Sequence, residues 1–149
     1  MGTNSKGAKL YSLDAYRRTK STLKKPCLFH LKNENEKETQ VSNLNQYQLE
    51  EIRSYSSLWT KSCAFNPELI LIDASLDWAD PLELIHELKT QIKVPVILMT
   101  DGVDSRPSFI KDAYSVGIDD VLYTPLCLDE LSQAMRVLLR IPLEQKQRH

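Results

Sequence analysis

The sequence predicts a doubly wound α/β fold, in which helices cover both faces of a five-stranded parallel sheet. Two apolar runs, residues 69–73 and 93–100, are short, rich in Ile, Leu and Val, and end on polar residues. Such runs are typical of strands buried on both faces, as in parallel sheets covered by helices. Segments with helical spacing of apolar residues alternate with these runs, which predicts strand–helix units rather than hairpins.

The N-terminal half of the domain has the less distinct pattern. The first strand is predicted at residues 27–31, directly after Pro26, and residues 36–47 have a weakly helical pattern. β-Branched and aromatic residues then favour a short strand at 52–56, followed by a short helix at 58–65. A single longer helix through this last region is the alternative.

The C-terminal half has clearer boundaries. After the strand at 69–73, Asp80 and Pro81 are typical of the first residues of a helix, whose apolar positions continue to Ile92. The strand at 93–100 follows. The remaining elements are a helix over 109–116 that ends at Gly117, a short strand at 119–123, and a last helix from Leu128 to about residue 141.

The chain of 149 residues is expected to form one domain with two appendages. Residues 1–25 form a basic N-terminal extension, either flexible or a short helix, residues 26–141 the α/β domain, and residues 142–149 a polar tail. The extension carries a net charge of about +6, so the remainder carries about −7. A basic arm of this kind has the charge needed to contact nucleic acid.

Composition also bears on location. The chain has no run of about 18 apolar residues, which argues against a membrane span. The three cysteines, Cys27, Cys63 and Cys127, fit neither a metal-binding spacing nor a disulfide framework. This usage suits a reducing compartment, so we expect a cytoplasmic protein.

Polar residues at the ends of the buried strands are the candidate functional groups. Asp73 ends one apolar strand and Thr100 ends the next. In doubly wound sheets the carboxyl ends of the strands carry the functional site, and right-handed crossovers bring these ends together with the end of the first strand at Leu31. Within that strand, His30 is predicted to be a hydrogen-bonded core or edge histidine. Trp78 is predicted either to contact a partner or to fold back over the following helix.

Several segments occur in an order and at a spacing that are known from one family. They are PELILIDASL at 67–76, LEL at 82–84, PVILMT at 95–100, AYSVGIDDVL at 113–122 and LDEL at 128–131. Over residues 26–140 the chain resembles the receiver domain of two-component response regulators, which has the flavodoxin-like fold. The resemblance implies that Asp73 stands at the position of the aspartate that accepts a phosphoryl group from a histidine kinase. It also implies that Thr100 is the switch hydroxyl.

The same resemblance implies groups that this chain lacks. The two acids that hold Mg²⁺ with the acceptor are replaced by Lys32 and Asn33, although Glu34 follows one residue later. The lysine that pairs with the phosphoryl oxygens is replaced by Thr124, and the aromatic residue of the last strand by Val121. Mg²⁺ requires oxygen ligands, usually including carboxylates, and phosphoryl transfer requires cations.

These departures predict a degenerate receiver, or pseudo-receiver, that keeps the fold and has lost phosphorylation. Lys32 is expected to pair with Asp73 where the metal would lie. The predicted function is a phosphorylation-independent module for protein–protein contacts, with no enzymatic activity, no metal and no cofactor, and with a homodimer through residues 106–140 as one form of contact. One alternative is a receiver that is still phosphorylated on Asp73 and uses Mg²⁺. The other is nucleic-acid binding through residues 1–25.

Overall fold

The computed structural model describes residues 25–35, 45–101 and 106–139. Within these residues it has five strands and four helices that alternate after the second strand. In chain order they are β1 (Cys27–Leu31), β2 (Gln48–Ile52), α1 (Tyr55–Ala64), β3 (Leu69–Asp73), α2 (Pro81–Gln91), β4 (Val96–Asp101), α3 (Pro107–Val116), β5 (Asp120–Thr124) and α4 (Leu128–Leu139).

All five strands belong to one parallel sheet with the order β2-β1-β3-β4-β5. This confirms the predicted doubly wound sheet of the flavodoxin-like type. Because β1, β3 and β4 are the inner strands, their backbones are paired on both sides. The carboxyl ends of the strands meet at one edge, and this edge carries the candidate site.

The alternation of side chains along the strands divides the core between the two faces of the sheet. On one face Phe29 and Ile70 pack with residues of α1, α2 and α3. On the other face Leu28 and Leu71 pack with Leu131 and other residues of α4. All five residues of β3 are buried, as expected for a central strand covered on both sides.

The strand predicted at 52–56 is wrong: β2 is Gln48–Ile52, and Tyr55 already lies in α1. Ser54 does not interrupt a strand but caps the helix, because its Oγ accepts a hydrogen bond of 3.1 Å from the Ser57 amide. The strand was missed because it is at the edge of the sheet, where half-exposed polar residues are tolerated and the apolar signal is weak. The helix was predicted three residues too late because Tyr55 and Ser56, its first two residues, were included in the predicted strand.

The observed strand β4 starts later and ends later than the strand predicted at 93–100. Lys93 has a φ of 64° and its amide donates to the Leu88 carbonyl at 3.1 Å, so this residue closes the end of α2. The strand begins at Val96 and includes Asp101. At the end of α3, Gly117 is in the left-handed region with φ 118°, as its predicted role as C-cap requires.

Several predictions concern residues that lie outside the described part of the chain. They are the basic extension, the polar tail and most of the weak helix at 36–47, of which only residues 45–47 are described, as a turn before β2. Asp80 occupies the predicted N-cap position of α2, but its side chain makes no capping hydrogen bond. In the described ranges, none of the helices combines the length and the apolar character that crossing a bilayer requires.

Candidate functional site

The carboxyl edge of the sheet has a cleft of about 330 Å³ beside Asp73. Asp73 is the last residue of β3, and Thr124 is the last residue of β5. The structure brings these two residues together with Thr100, so three of the candidate positions face one cleft. The other residues that line it are Ala74, Ser75, Met99, Asp101, Arg106 and Phe109.

Asp73 is buried, with 9% of its surface exposed, and the imidazole of His30 lies beside its carboxylate. His30 Nε2 lies 3.6 Å from Asp73 Oδ1, a distance too long for a hydrogen bond. Both ring nitrogens of His30 and Oδ2 of Asp73 are buried and have no hydrogen-bond partner among the residues that the structure describes. The prediction of a core histidine is therefore right about burial and wrong about hydrogen bonding.

The ion pair that the structure shows for Lys32 is with Glu51 rather than with the predicted Asp73. The side chain of Lys32 is fully buried, and its Nζ lies 3.3 Å from Glu51 Oε2. The parallel register places Glu51 of β2 opposite His30 of β1. The Glu51 side chain therefore lies on the same face of the sheet as the side chain of His30. Arg53 Nη2 binds the second carboxylate oxygen of Glu51 at 2.8 Å.

The charge on Glu51 reflects two opposing effects. Burial raises the pKa of Glu51, but the hydrogen bonds from Arg53 and Lys32 and their positive charges outweigh burial. The pKa of Glu51 is therefore lowered from its ordinary value of 4.5. At neutral pH this carboxylate is ionised and balances the buried ammonium of Lys32.

Asn33 joins the end of β1 to the loop that follows Asp73. Its Nδ2 donates to the Ser75 carbonyl at 3.1 Å, and its Oδ1 accepts from the Asp77 amide at 2.8 Å. Trp78 makes a third connection, because its Nε1 donates to the Lys32 carbonyl at 2.9 Å. Of the two roles predicted for Trp78, the structure shows a half-buried indole that packs against the core.

The hydroxyl and aromatic positions lie on β4 and β5. Thr100 is buried and its Oγ1 donates to the Asp101 carbonyl at 3.3 Å. Val121 is half-buried against the core, so the predicted aromatic position holds a packing residue. The register of the two strands places Tyr123 opposite Thr100, and this tyrosine is 48% exposed.

Sequence reasoning missed the part that Glu51, Arg106 and Tyr123 play at this edge. Glu51 was hidden in the unrecognised edge strand, and its only sequence signal was that a buried lysine needs an anion. Arg106 lies within the predicted contact region 106–140, but it directly precedes α3 and lines the cleft. Tyr123 was overlooked because it lies two residues after the expected aromatic position.

The resemblance implies Mg²⁺, and the residues present do not fit it. Mg²⁺ requires near-octahedral oxygen ligands. At position 32 an ammonium is buried in an ion pair, and at position 33 an amide turns its N–H toward the Ser75 carbonyl. Among the described residues, no group of three or more His, Cys, Asp or Glu side chains is placed to hold a metal ion.

Comparison with known proteins agrees with this architecture. The sequence profile described as "Response regulator receiver domain" matches residues 35–136, more than half of the chain. The chain belongs to the response regulator receiver family. The matched range of this receiver begins after β1, so it does not include Lys32 and Asn33.

One curated relative of this receiver is the KDP operon transcriptional regulatory protein KdpE of Escherichia coli strain K12. The two are 36% identical over 74 residues, which is 50% of this chain and 32% of the relative. This receiver therefore spans about a third of the length of that regulator. Whatever the remainder of the regulator does is not transferred by the similarity.

Solved structures share the fold of this receiver. A two-component response regulator from Clostridium difficile matches with a TM-score of 0.68 and 18% identity, over 80% of this chain and 99% of that one. The signal receiver domain of an HD domain-containing protein from Pseudomonas fluorescens Pf-5 matches with a TM-score of 0.67 and 22% identity, over 78% of this chain and 96% of that one. At these identities the similarity supports the fold alone.

Proposed function

We propose that this receiver is a pseudo-receiver that acts through protein–protein contacts and does not depend on phosphorylation. The observation that carries the proposal is the state of Lys32. A family acid is replaced at this position by a lysine that is fully buried and lies 3.3 Å from Glu51. A metal-binding carboxylate has thus been converted into one half of an internal ion pair.

The electrostatic requirements of phosphoryl transfer support this proposal. A carboxylate that attacks a phosphoryl group brings anions together, so cations must stabilise the transition state. The lysine position of the family holds Thr124, which offers a hydroxyl without charge. Loss of one preorganised electrostatic contact typically lowers a rate by about 10²–10³. With the acid pair and the lysine both replaced, transfer to Asp73 should be negligible, and we propose no other enzymatic activity and no cofactor.

Incubation of the full chain with acetyl phosphate and MgCl₂, followed by intact-mass measurement, tests the proposal. We expect the mass to remain that of the unmodified protein. A gain of one phosphoryl group that is absent from Asp73→Ala would overturn it. A receiver with an intact acidic pair and lysine, treated in parallel, shows that the phosphodonor is active.

One observation favours phosphorylation of Asp73 as a second candidate. Arg106 lines the cleft together with Asp73 and Thr100. A guanidinium and a hydroxyl could therefore both contact a phosphoryl group on Asp73. In this case Arg106 would replace the missing lysine. If phosphorylation is detected, Arg106→Gln should abolish it, whereas Lys111→Gln, an exposed change on the helix that follows Arg106, should not.

The contact surface that we propose includes the described part of residues 106–140. Three large side chains are exposed there on neighbouring elements: Tyr114 on α3 is 50% exposed, Tyr123 on β5 is 48% exposed, and Val137 on α4 is 67% exposed. Burial and the nearby Asp120 carboxylate raise the pKa of Tyr114, so its hydroxyl stays protonated. Exposed tyrosines are well suited to contacts between proteins, and we propose a second copy of the chain as the partner.

Two further proposals rest on the sequence. Nucleic-acid binding by residues 1–25 stays a prediction, because these residues lie outside the described part of the chain. We infer a cytoplasmic location from the cysteines, of which Cys63 and Cys127 are free and exposed and Cys27 is free and buried.

A further inference from the structure

Three hydrogen bonds connect the end of β1 to the loop after Asp73. Two come from the side chain of Asn33, which donates to the Ser75 carbonyl and accepts from the Asp77 amide. The third runs from the indole of Trp78 to the Lys32 carbonyl. We call these three bonds the β1–loop bridge. They link residues that are more than 40 positions apart in sequence.

A second set of contacts connects β1 to β2. Lys32 and Arg53 both bind the carboxylate of Glu51, at 3.3 and 2.8 Å. Arg53 Nη1 also donates to the carbonyls of Asn33 and Glu34, each at 2.9 Å. The carboxyl ends of β1, β2 and β3 are therefore joined by side chains of the protein itself.

The side chain of Asn33 makes a pair of contacts that a metal-binding carboxylate at the same position could not make. An amide offers a donor and an acceptor, and both are used, one for a carbonyl and one for an amide. A carboxylate at this position would keep the acceptor and lose the donor, so its charge would face the Ser75 carbonyl. The bridge is thus specific for an amide, and it fixes the loop without a cation.

We propose that the β1–loop bridge replaces the metal ion as the element that holds the loop after Asp73. The inference rests on the proposed function and deepens it. A metal ion at this edge would cross-link the segments that supply its ligands. Here Asn33 and Trp78 act as positioning residues, and the loop has one conformation whether or not a divalent cation is present.

Two measurements on the full chain test this inference. The first is Tm in the absence and presence of about 10 mM MgCl₂, since a ligand that binds only the folded state raises Tm. We expect no rise for the wild type beyond that of Asp73→Asn. Asn33→Asp should have a lower Tm than the wild type without Mg²⁺ and should recover part of it with Mg²⁺. Asn66→Asp, an exposed change of the same charge that precedes β3, is the matched control and should do neither.

The second measurement is hydrogen exchange of the Asp77 amide. We expect it to be protected in the wild type to the same degree with and without Mg²⁺. Asn33→Ala, which removes the acceptor, should speed its exchange by about tenfold or more, whereas Asn66→Ala should not. Trp78→Phe, which keeps an aromatic ring and removes the indole donor, should speed exchange in the same loop.

A rise in the Tm of the wild type with Mg²⁺ that disappears in Asp73→Asn would overturn the inference. Exchange at Asp77 that is unaffected by Asn33→Ala would also overturn it. Mg²⁺ binding without phosphorylation contradicts the bridge and leaves the proposed function standing. Phosphorylation of Asp73 with an unchanged, protected Asp77 amide contradicts the proposed function alone.

Discussion

The ammonium of Lys32 lies 3.3 Å from the carboxylate of Glu51, and the pair joins β1 to the edge strand β2. The two side chains are unequal in burial, since Lys32 is fully buried and the Glu51 side chain is 28% exposed. Glu51 in turn holds Arg53, whose side chain is 32% exposed. Removal of one partner or the other should therefore have different effects on stability.

Glu51→Gln should destabilise the protein more than Lys32→Met. Removal of the carboxylate leaves the buried ammonium without that negative charge, at a cost of about 2 kcal/mol after allowance for the exposure of Glu51. Lys32→Met leaves a carboxylate that water and Arg53 still stabilise, and it should cost about 1 kcal/mol or less. Urea unfolding measures both changes. Equal losses, or the reverse order, would show that the pair does not neutralise Lys32.

Stability should also depend on pH through Glu51. Because the pKa of Glu51 is lowered in the folded state, the carboxylate contributes stability that is fully present above its ordinary value of 4.5. That contribution is lost as the pH falls through the lowered folded-state pKa. The decline in Tm between neutral pH and about pH 3 should be shallower in Glu51→Gln than in the wild type. Parallel curves would contradict this assignment.

Restoration of the missing groups should restore phosphorylation. In Lys32→Asp/Asn33→Asp/Thr124→Lys, the carboxyl edge of the sheet gains two carboxylates that can hold Mg²⁺ and a cation for the phosphoryl oxygens. One electrostatic contact to the transition state typically contributes about 10²–10³ in rate. We expect a mass gain of one phosphoryl group after treatment with acetyl phosphate and MgCl₂. Addition of Asp73→Asn to the same variant is the control and should abolish the gain. A folded triple variant, verified by circular dichroism, that stays unmodified would show that further groups are missing.

His30→Leu should stabilise the protein, which is unusual for a core substitution. The change removes two buried ring nitrogens that have no hydrogen-bond partner in the described part of the chain, and burial of such groups typically costs about 1–3 kcal/mol each. A gain of about 1 kcal/mol in the free energy of unfolding is expected after allowance for imperfect packing. Phe29→Leu, a change in the same strand on the other face, should instead cost about 1 kcal/mol. A loss for His30→Leu as large as that for Phe29→Leu would indicate that His30 and Asp73 stabilise each other.

The exposed patch of Tyr114, Tyr123 and Val137 should mediate self-association. Tyr123→Ser/Val137→Ser removes two of its apolar contacts and should shift the protein toward the monomer in light scattering at high concentration. Tyr55→Ser is the matched control, because Tyr55 is 45% exposed but lies on α1 and not on the patch. A wild type that is monomeric at all concentrations would contradict this contact.

The fold could largely be predicted from the sequence because its signals are local. The apolar run that ends at Asp73 has the length and composition of a central strand, and Gly117 has the conformational freedom that the end of α3 requires. The edge strand β2 could not be predicted in the same way. Its residues are stabilised by pairing with β1, and its polar composition gives no periodic signal.

The candidate site divides differently. The sequence by itself determined which groups stand at the carboxyl edge, because Asp73, Thr100 and Thr124 each lie at or next to the end of a strand, and all parallel strands end at the same edge. Only the tertiary structure decided which of them interact. Lys32 pairs with Glu51 because the register of β1 and β2 places them on one face, and Asn33 reaches Ser75 because β1 and β3 are neighbours in the sheet. Contacts of this kind depend on strand order and register, which no local pattern of residues specifies.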